Sequence, residues 1–333
     1  MQSFENVVQA AERTDFSGAV RVDRAGHTEL ALARGFADRS HGTPNTIETQ
    51  FATASLTKGF TALVVASLVD SGVLDLHTTA RSILGDDLPL IADDVTVEHL
   101  LAHRSGIGDY LDEEALGDIT DYVMPVPVHL LATTEQYRAV LGGHQTVFPA
   151  GSRFAYNNAG YVVLALVAER ASGTEFHDLV RTRVCEPAGM VDTEFIRSDE
   201  LTGRAARGYL AVSGLRTNVL HLPVRGSGDG GAYSTLADLS AFWEALFAGR
   251  IVPSAWVDEM VRPRSEWPQE DRRYGMGFHL HATNDAVFLE GSDAGVSVAS
   301  LHQPSTSTTY TVVSNWSNGA WPIVSILNEQ LGI

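Results

Sequence analysis

The stretch Phe51-Ala-Thr-Ala-Ser55-Leu-Thr-Lys58-Gly-Phe60 holds the only lysine of a 333-residue chain whose other basic residues are all arginine. A guanidinium keeps its proton inside a protein, whereas an amine loses it when buried or set beside another cation. Lysine is therefore the basic side chain of this pair that can act as a base. Leu56, Phe60, Leu63, Val64 and Leu68 fall at helical spacing up to Ser71-Gly72. That spacing predicts a helix with Ser55 in its first turn and Lys58 one turn on, on the same face. Ser-x-x-Lys ahead of an apolar helix is an arrangement in which serine becomes a nucleophile by passing its proton to the amine. The plain alternative, a solvated helix face, carries little weight in a chain with one lysine.

Upstream of this stretch, Phe16–Asp23 and Glu29–Gly35 alternate around a turn at Arg24-Ala-Gly26, which predicts a β-hairpin at a sheet edge. Downstream, residues 76–220 read mostly as helices and loops, with helical candidates at Thr96–His103, Thr134–Leu141, Tyr161–Ser172 and Glu175–Val184. Gly226-Ser-Gly-Asp-Gly-Gly231 marks a tight loop, and Thr235–Phe247 an amphipathic helix. Strand patterns follow at Gly277–His281, Ala286–Leu289, Gly295–His302 and Tyr310–Ser314, then a helix over Pro322–Leu331. The expectation is an α+β fold: a sheet of N- and C-terminal strands (1–75 and 221–333) flanked by helices, with a mostly helical lobe (76–220) inserted and a cleft between the two.

Composition narrows the function. With 23 basic and 41 acidic residues the formal charge is −18, which disfavours nucleic acid and anionic membranes as partners. No apolar run approaches the roughly 20 residues needed to span a bilayer. The start Met1-Gln-Ser-Phe-Glu-Asn has no basic, apolar or cleavage-site pattern of an export signal, so a cytoplasmic location is expected. A lone Cys185 makes no internal disulfide and reads as a small buried hydrophobe, and the 12 histidines show no ligand spacing. Neither metal nor cofactor is expected. Nothing in the pattern speaks to oligomeric state.

A serine–lysine pair needs a further proton-handling group, and Phe154-Ala-Tyr156-Asn-Asn158-Ala-Gly160 offers one. Tyrosine titrates near about 10, and a nearby ammonium favours its phenolate, so Tyr156 can shuttle a proton between nucleophile and leaving group. Asn158 can donate to a substrate carbonyl and accept from the lysine, although an asparagine there also suits a helix cap. With these residues the chain resembles the serine β-lactamase and penicillin-binding-protein superfamily, in particular its class C β-lactamase, DD-peptidase and family VIII esterase branch. The first motif matches at Ser55-Leu-Thr-Lys58 and the second at Tyr156-Asn-Asn158. Leu100-Leu-Ala-His103-Arg-Ser-Gly106, Phe148-Pro-Ala-Gly151, Glu186-Pro-Ala-Gly-Met190, Gly230-Gly-Ala-Tyr-Ser234 and Tyr274-Gly-Met-Gly277 also look familial, in order along most of the chain. The resemblance implies Ser55 as acylated nucleophile, Lys58 as its activator, Tyr156 as general base and acid, and Asn158 as ligand of substrate and lysine. His103 and Arg104 read as loop packing near the cleft.

The third motif departs from the pattern. Relatives carry Lys-Thr-Gly or His-x-Gly beside the active site; here the strand reads Phe288-Leu-Glu290-Gly291-Ser292-Asp-Ala-Gly295. One register places Leu289 in the basic position, Glu290 in the threonine position and Gly291 on the motif glycine; the other places Glu290 in the basic position. Neither brings a cation, though Arg153, Arg225 or Arg273 can reach in from loops. In the first register the backbone N–H groups of Ser55 and Ser292 form the oxyanion hole. A carboxylate at Glu290 repels acidic substrates, so a neutral or cationic small-molecule ester or amide is expected.

The expected activity is a serine hydrolase working through an acyl-enzyme, foremost a carboxylesterase. Three alternatives stay open. One is an amide hydrolase, either a D-amino-acid amidase or aminopeptidase whose substrate ammonium pairs with Glu290 or Asp293, or a DD-peptidase or β-lactamase-like enzyme. The others are an acyltransferase or cyclase and a non-catalytic binding module.

Overall fold

The computed structural model describes residues 4–111, 117–267 and 270–333, so part of the N-terminal stretch read above lies outside the described residues. The alternating segments form β1 (Gly18–Arg24) and β2 (His27–Arg34), joined through Ala25 and Gly26, both at positive φ. Six further strands come from the C-terminal third: β3 (Ser265–Trp267), β4 (Arg272–Tyr274), β5 (His279–His281), β6 (Val287–Asp293), β7 (Val296–Gln303) and β8 (Thr308–Ser314). They make one eight-stranded antiparallel sheet in the order β2-β1-β8-β7-β6-β5-β4-β3. Strand β1 thus docks on β8, with Val22 opposite Tyr310, and the two ends of the chain close one sheet. The β-branched run of β8 is buried along its whole length, as befits a central strand covered on both faces.

Helices cover both faces. On one side α1 (Glu5–Arg13) and, near the C-terminus, Trp321–Leu331 bury Phe4, Val7, Ile323 and Leu327 against Val20, Leu301, Tyr310 and Val312. On the other lies α2 (Thr57–Asp70), whose only charged residues are Lys58 and Asp70 and which is buried from Thr57 to Ala66. An apolar circumference of this kind marks a helix enclosed on all sides. Between α2 and Leu236–Phe247, a helix whose Trp243 indole donates to Ser300 Oγ at 2.8 Å, runs the inserted segment. It carries α3 (Val97–Leu101) and α4 (Asn158–Ser172), and no strand of the main sheet among the described residues. Helices α2 and α4 share one apolar core, Phe60, Leu63 and Val64 with Tyr161, Leu164 and Leu166. The α+β class, with one antiparallel sheet of N- and C-terminal strands flanked by helices, is that expected from the sequence.

Local departures have physical causes. Strands β3, at the sheet edge, and β4 beside it are three residues each, Ser-Glu-Trp and Arg-Arg-Tyr, too short to show alternation. The Thr134–Leu141 helix opens as a 3₁₀ turn through Tyr137, and Glu175–Val184 resolves into Phe176–Val180 followed by a π-helical turn, Arg181–Cys185. Among the described residues no helix is long and apolar enough to cross a membrane.

Candidate active site

Ser55 lies in a 3₁₀ turn, Ala54–Leu56, that leads directly into α2. The preceding Ala54 has φ 42°, a left-handed conformation that a residue with a side chain adopts at a cost. The turn is held from below: Thr53 N donates to Ala232 O at 2.8 Å, and Ala232 N to Thr57 Oγ1 at 3.1 Å.

Lys58, only 2% exposed, places its Nζ 2.9 Å from Ser55 Oγ, 2.7 Å from Asn158 Oδ1 and 2.8 Å from Asp229 O. An ammonium has three N–H donors, and three acceptors surround it. A neutral amine in the same place has a lone pair to receive the Ser55 proton. The Asp229 carbonyl comes from the glycine loop 226–231, where Gly228 is a steric necessity: a β-carbon there would come within 2.1 Å of Tyr161 O in α4. Gly228 O also accepts from Thr61 Oγ1 at 2.6 Å, which ties the loop to α2.

Asn158 is the first residue of α4, but it is not the cap. Asn157 takes that role, its Oδ1 accepting from Gly160 N at 2.6 Å. This leaves the Asn158 amide to face Lys58, with its Nδ2 donating to Leu111 O at 3.1 Å.

Tyr156 sits against Lys58, whose Nζ is 4.9 Å from the ring centroid. His103 holds the tyrosine segment: its carbonyl accepts from Ala155 N at 2.9 Å and its Nδ1 from Asn157 N at 3.0 Å. Its ring lies 4.4 Å from that of Tyr156, centroid to centroid. Burial, reinforced by Lys58, pushes the His103 imidazole well below its ordinary range, so it is neutral and accepts at Nδ1.

The third-motif strand, β6, crosses the other side of Ser55. A β-carbon on Gly291 would lie 2.5 Å from Thr53 O and 2.8 Å from Ser55 N, so the strand approaches the Ser55 turn as closely as only glycine allows. Leu289 is buried among the core residues of α2. His281 N donates to Ala286 O at 3.0 Å, so the even-numbered residues of β6 direct their backbone groups toward β5. Strand β5 pairs only with Val287 and Phe288, which leaves the Glu290 and Ser292 N–H groups pointing past its end.

Two recesses meet at Ser55 and Ser292. The inner, of about 80 Å³, is walled by Tyr110, Tyr122, Tyr137 and Tyr233 with Asp229 and Asp293. The outer, of about 170 Å³, is lined by Tyr156, Trp267, Arg272, His279 and Glu290.

Here one expectation is corrected. Glu290 is not an isolated negative charge: Arg272, two strands over on β4, pairs with it at 2.5 Å and lies 5.1 Å from the Phe288 ring centroid. The arginines proposed from sequence are engaged elsewhere. Arg273 donates to His281 O, Arg225 to Phe195 O, and Arg153 stacks on Phe148.

Sequence reasoning also passed over Asp109, Asp229 and Trp267. The first two were flagged only by their setting among glycines, Gly106-Ile-Gly108-Asp109 and Gly228-Asp229-Gly230. Nothing local marked Trp267. Among the described residues, no cluster of three or more His, Cys, Asp or Glu has the geometry to hold a metal.

The family model described as Beta-lactamase matches residues 4–323. The chain belongs to the beta-lactamase family. Its superfamily is that of the beta-lactamase-type serine hydrolases. The crystal structure of a penicillin-binding protein from Bacillus halodurans superposes with a TM-score of 0.91 at 31% identity, covering 97% of this chain and 99% of that one. Penicillin-binding protein 4* of Bacillus subtilis (strain 168) is 28% identical over 284 residues, 81% of this chain and 60% of the relative. Esterase EstB of Burkholderia gladioli is 34% identical over 207 residues, 57% of this chain and 50% of the relative. The match to these two curated relatives thus spans only about half to three fifths of their length.

Proposed function

We propose that this beta-lactamase-family protein hydrolyses small neutral or cationic carboxylic esters through an acyl-enzyme on Ser55. The observation that carries this is the Lys58 amine 2.9 Å from Ser55 Oγ, buried and held on its other sides by Asn158 and Asp229. Ser55 Oγ attacks the ester carbonyl while its proton passes to Lys58 and Tyr156. The tetrahedral oxyanion is held by the Ser55 and Ser292 N–H groups, and Tyr156 returns a proton to the departing alcohol. Water then attacks the acyl carbon along the same proton route, releasing the acid and restoring the serine. The close approach of Gly291 to Ser55 N supports the register that puts Gly291 on the motif glycine and Leu289 in the basic position.

Charge supports the substrate class. Among the described residues lining the inner recess are two carboxylates, Asp229 and Asp293, and neither lysine nor arginine. In the outer recess Arg272 and Glu290 offset one another. An acyl group bearing a carboxylate therefore meets repulsion on the inner side, and a neutral or cationic one does not.

The same wall favours a second reading, an amidase whose substrate ammonium faces Asp293. A panel of nitrophenyl esters with neutral, aminated and carboxylated acyl chains, beside D-alanine anilide and nitrocefin, separates the two. The ester reading predicts turnover of neutral and aminated esters well above that of the anilide, nitrocefin and the carboxylated ester. Preference for nitrocefin or the carboxylated ester would overturn it.

A further inference from the structure

We propose that Asp109 is a positioning residue that holds Asn158, and through it Lys58, in register with Ser55. Asp109 lies on the loop after α3, nearly fifty residues before α4, and its carboxylate gathers three backbone N–H groups. Oδ2 accepts from Asn158 N at 2.5 Å; Oδ1 accepts from Ala159 N at 3.0 Å and from Leu111 N at 3.2 Å. Two of these donors belong to the first turn of α4, whose N–H groups lack intrahelical partners and where a negative charge is favoured by the helix dipole.

The third donor matters for orientation. Leu111 is the residue whose carbonyl takes the Asn158 Nδ2 proton, so one carboxylate fixes both the backbone of Asn158 and the group that decides which way its amide points. With Nδ2 committed to Leu111, Oδ1 is the atom presented to Lys58. A flipped amide would set N–H donors against the lysine donors, and the amine would lose one of its anchors.

The carboxylate is buried, which pushes its titration up to about 6, and Lys58 opposes that rise. Among the described residues, the titratable groups around it are Lys58 from α2, Tyr110 from its own loop and Tyr122 from the turn after residue 118, with Asp229 bonded to Tyr110. Tyr122 is pushed up to about 12 and Tyr110 well above its ordinary value, so both stay protonated near neutrality. Protonating Asp109 would replace an acceptor by an O–H facing three N–H donors, which loosens Leu111 and frees the Asn158 amide.

Because Asp109 acts through Asn158 and Lys58, its role rests on the Ser55 chemistry above. The test is the pH profile of kcat on a neutral nitrophenyl ester for wild type, Asp109→Asn, Asn158→Ala, the double variant and Ser55→Ala. Wild type should lose activity as pH falls through about 6. Asp109→Asn should lose on the order of 100-fold in kcat at pH 7.5 and show no such limb. Asn158→Ala should also lack the limb, and adding Asp109→Asn to it should cost less than threefold more. The Asn158→Ala profile keeps the inference falsifiable if Asp109→Asn does not fold. A limb near 6 persisting in Asn158→Ala, equal losses from Asp109→Asn in both backgrounds, or wild-type kcat in a folded Asp109→Asn would overturn it. Undiminished hydrolysis by Ser55→Ala sinks the Ser55 reading and this inference with it. Wild-type behaviour of Asp109→Asn beside an inert Ser55→Ala sinks this inference alone.

Discussion

Gly291 approaches Ser55 so closely that a single added methyl group would sit 2.8 Å from the Ser55 amide nitrogen. The third-motif strand and the Ser55 turn therefore touch through backbone, and the space between them is set by the absence of a side chain. Gly291→Ala should destabilise the fold by about 1–3 kcal/mol, as overpacking of a rigid contact does. It should lower kcat more than it raises KM, because the displaced Ser55 N–H is proposed to act on the transition state. Chemical denaturation and steady-state kinetics check both. A variant with unchanged stability and turnover would mean that the contact has no role.

Lys58→Arg keeps the charge and removes the proposed base. Guanidinium stays protonated, so it cannot receive the Ser55 proton. We expect kcat to fall by about 10³-fold or more, with a folded protein by circular dichroism. Substantial activity in this variant would show that the amine is not the proton acceptor.

Arg272→Ala leaves Glu290 without its partner at the outer lip. Both side chains are about one-quarter exposed, so solvent screens the change. The ratio of KM for esters with anionic and cationic leaving groups should rise by about fivefold, falling back as salt is added. No change in the ratio would place the leaving group away from this pair.

Four histidines make stability depend on pH. Burial lowers the folded-state titration of His103 and His279 well below the ordinary 6.5, and of His177 and His302 to about 4. A depressed histidine contributes stability that is fully present above about pH 6.5 and is lost as pH falls, since only the unfolded chain takes up the proton. Asp109 works the other way. Its folded value is raised from 3.8 to about 6, so its cost is relieved as the pH drops through that range. The histidines are more numerous, and a loss of the order of a few kcal/mol between pH 7.5 and 5 is expected from urea unfolding. An unchanged or higher midpoint at pH 5 would refute it.

What the sequence made legible and what it hid divide along physical lines. The hairpin at β1 and β2, the helix after Ser55, the glycine loop 226–231 and the strands from Val287 onward each announce themselves through periodicity or glycine punctuation within a few residues. Arg272 was missed in favour of Arg273 because neighbours on a strand point to opposite faces. Only the pairing of Arg272 with His281 and Arg273 with Leu280 tells which faces the cleft. The strand β4 that carries them is too short to show its register. Asn157 and Asn158 are chemically identical, and only the start of α4 divides cap from lysine ligand. Asp109 reads as a loop acid until the fold brings the first turn of α4 onto it.

The proposed chemistry turns on a covalent bond, and intact-protein mass spectrometry of acid-quenched reactions with a slow nitrophenyl ester sees that bond directly. Wild type should gain the mass of one acyl group, mapped by peptide digestion to Ser55, and the adduct should be absent from Ser55→Ala and strongly reduced in Lys58→Arg. An adduct on another residue, or full ester turnover by Ser55→Ala, would contradict the assignment of Ser55 as the acylated nucleophile.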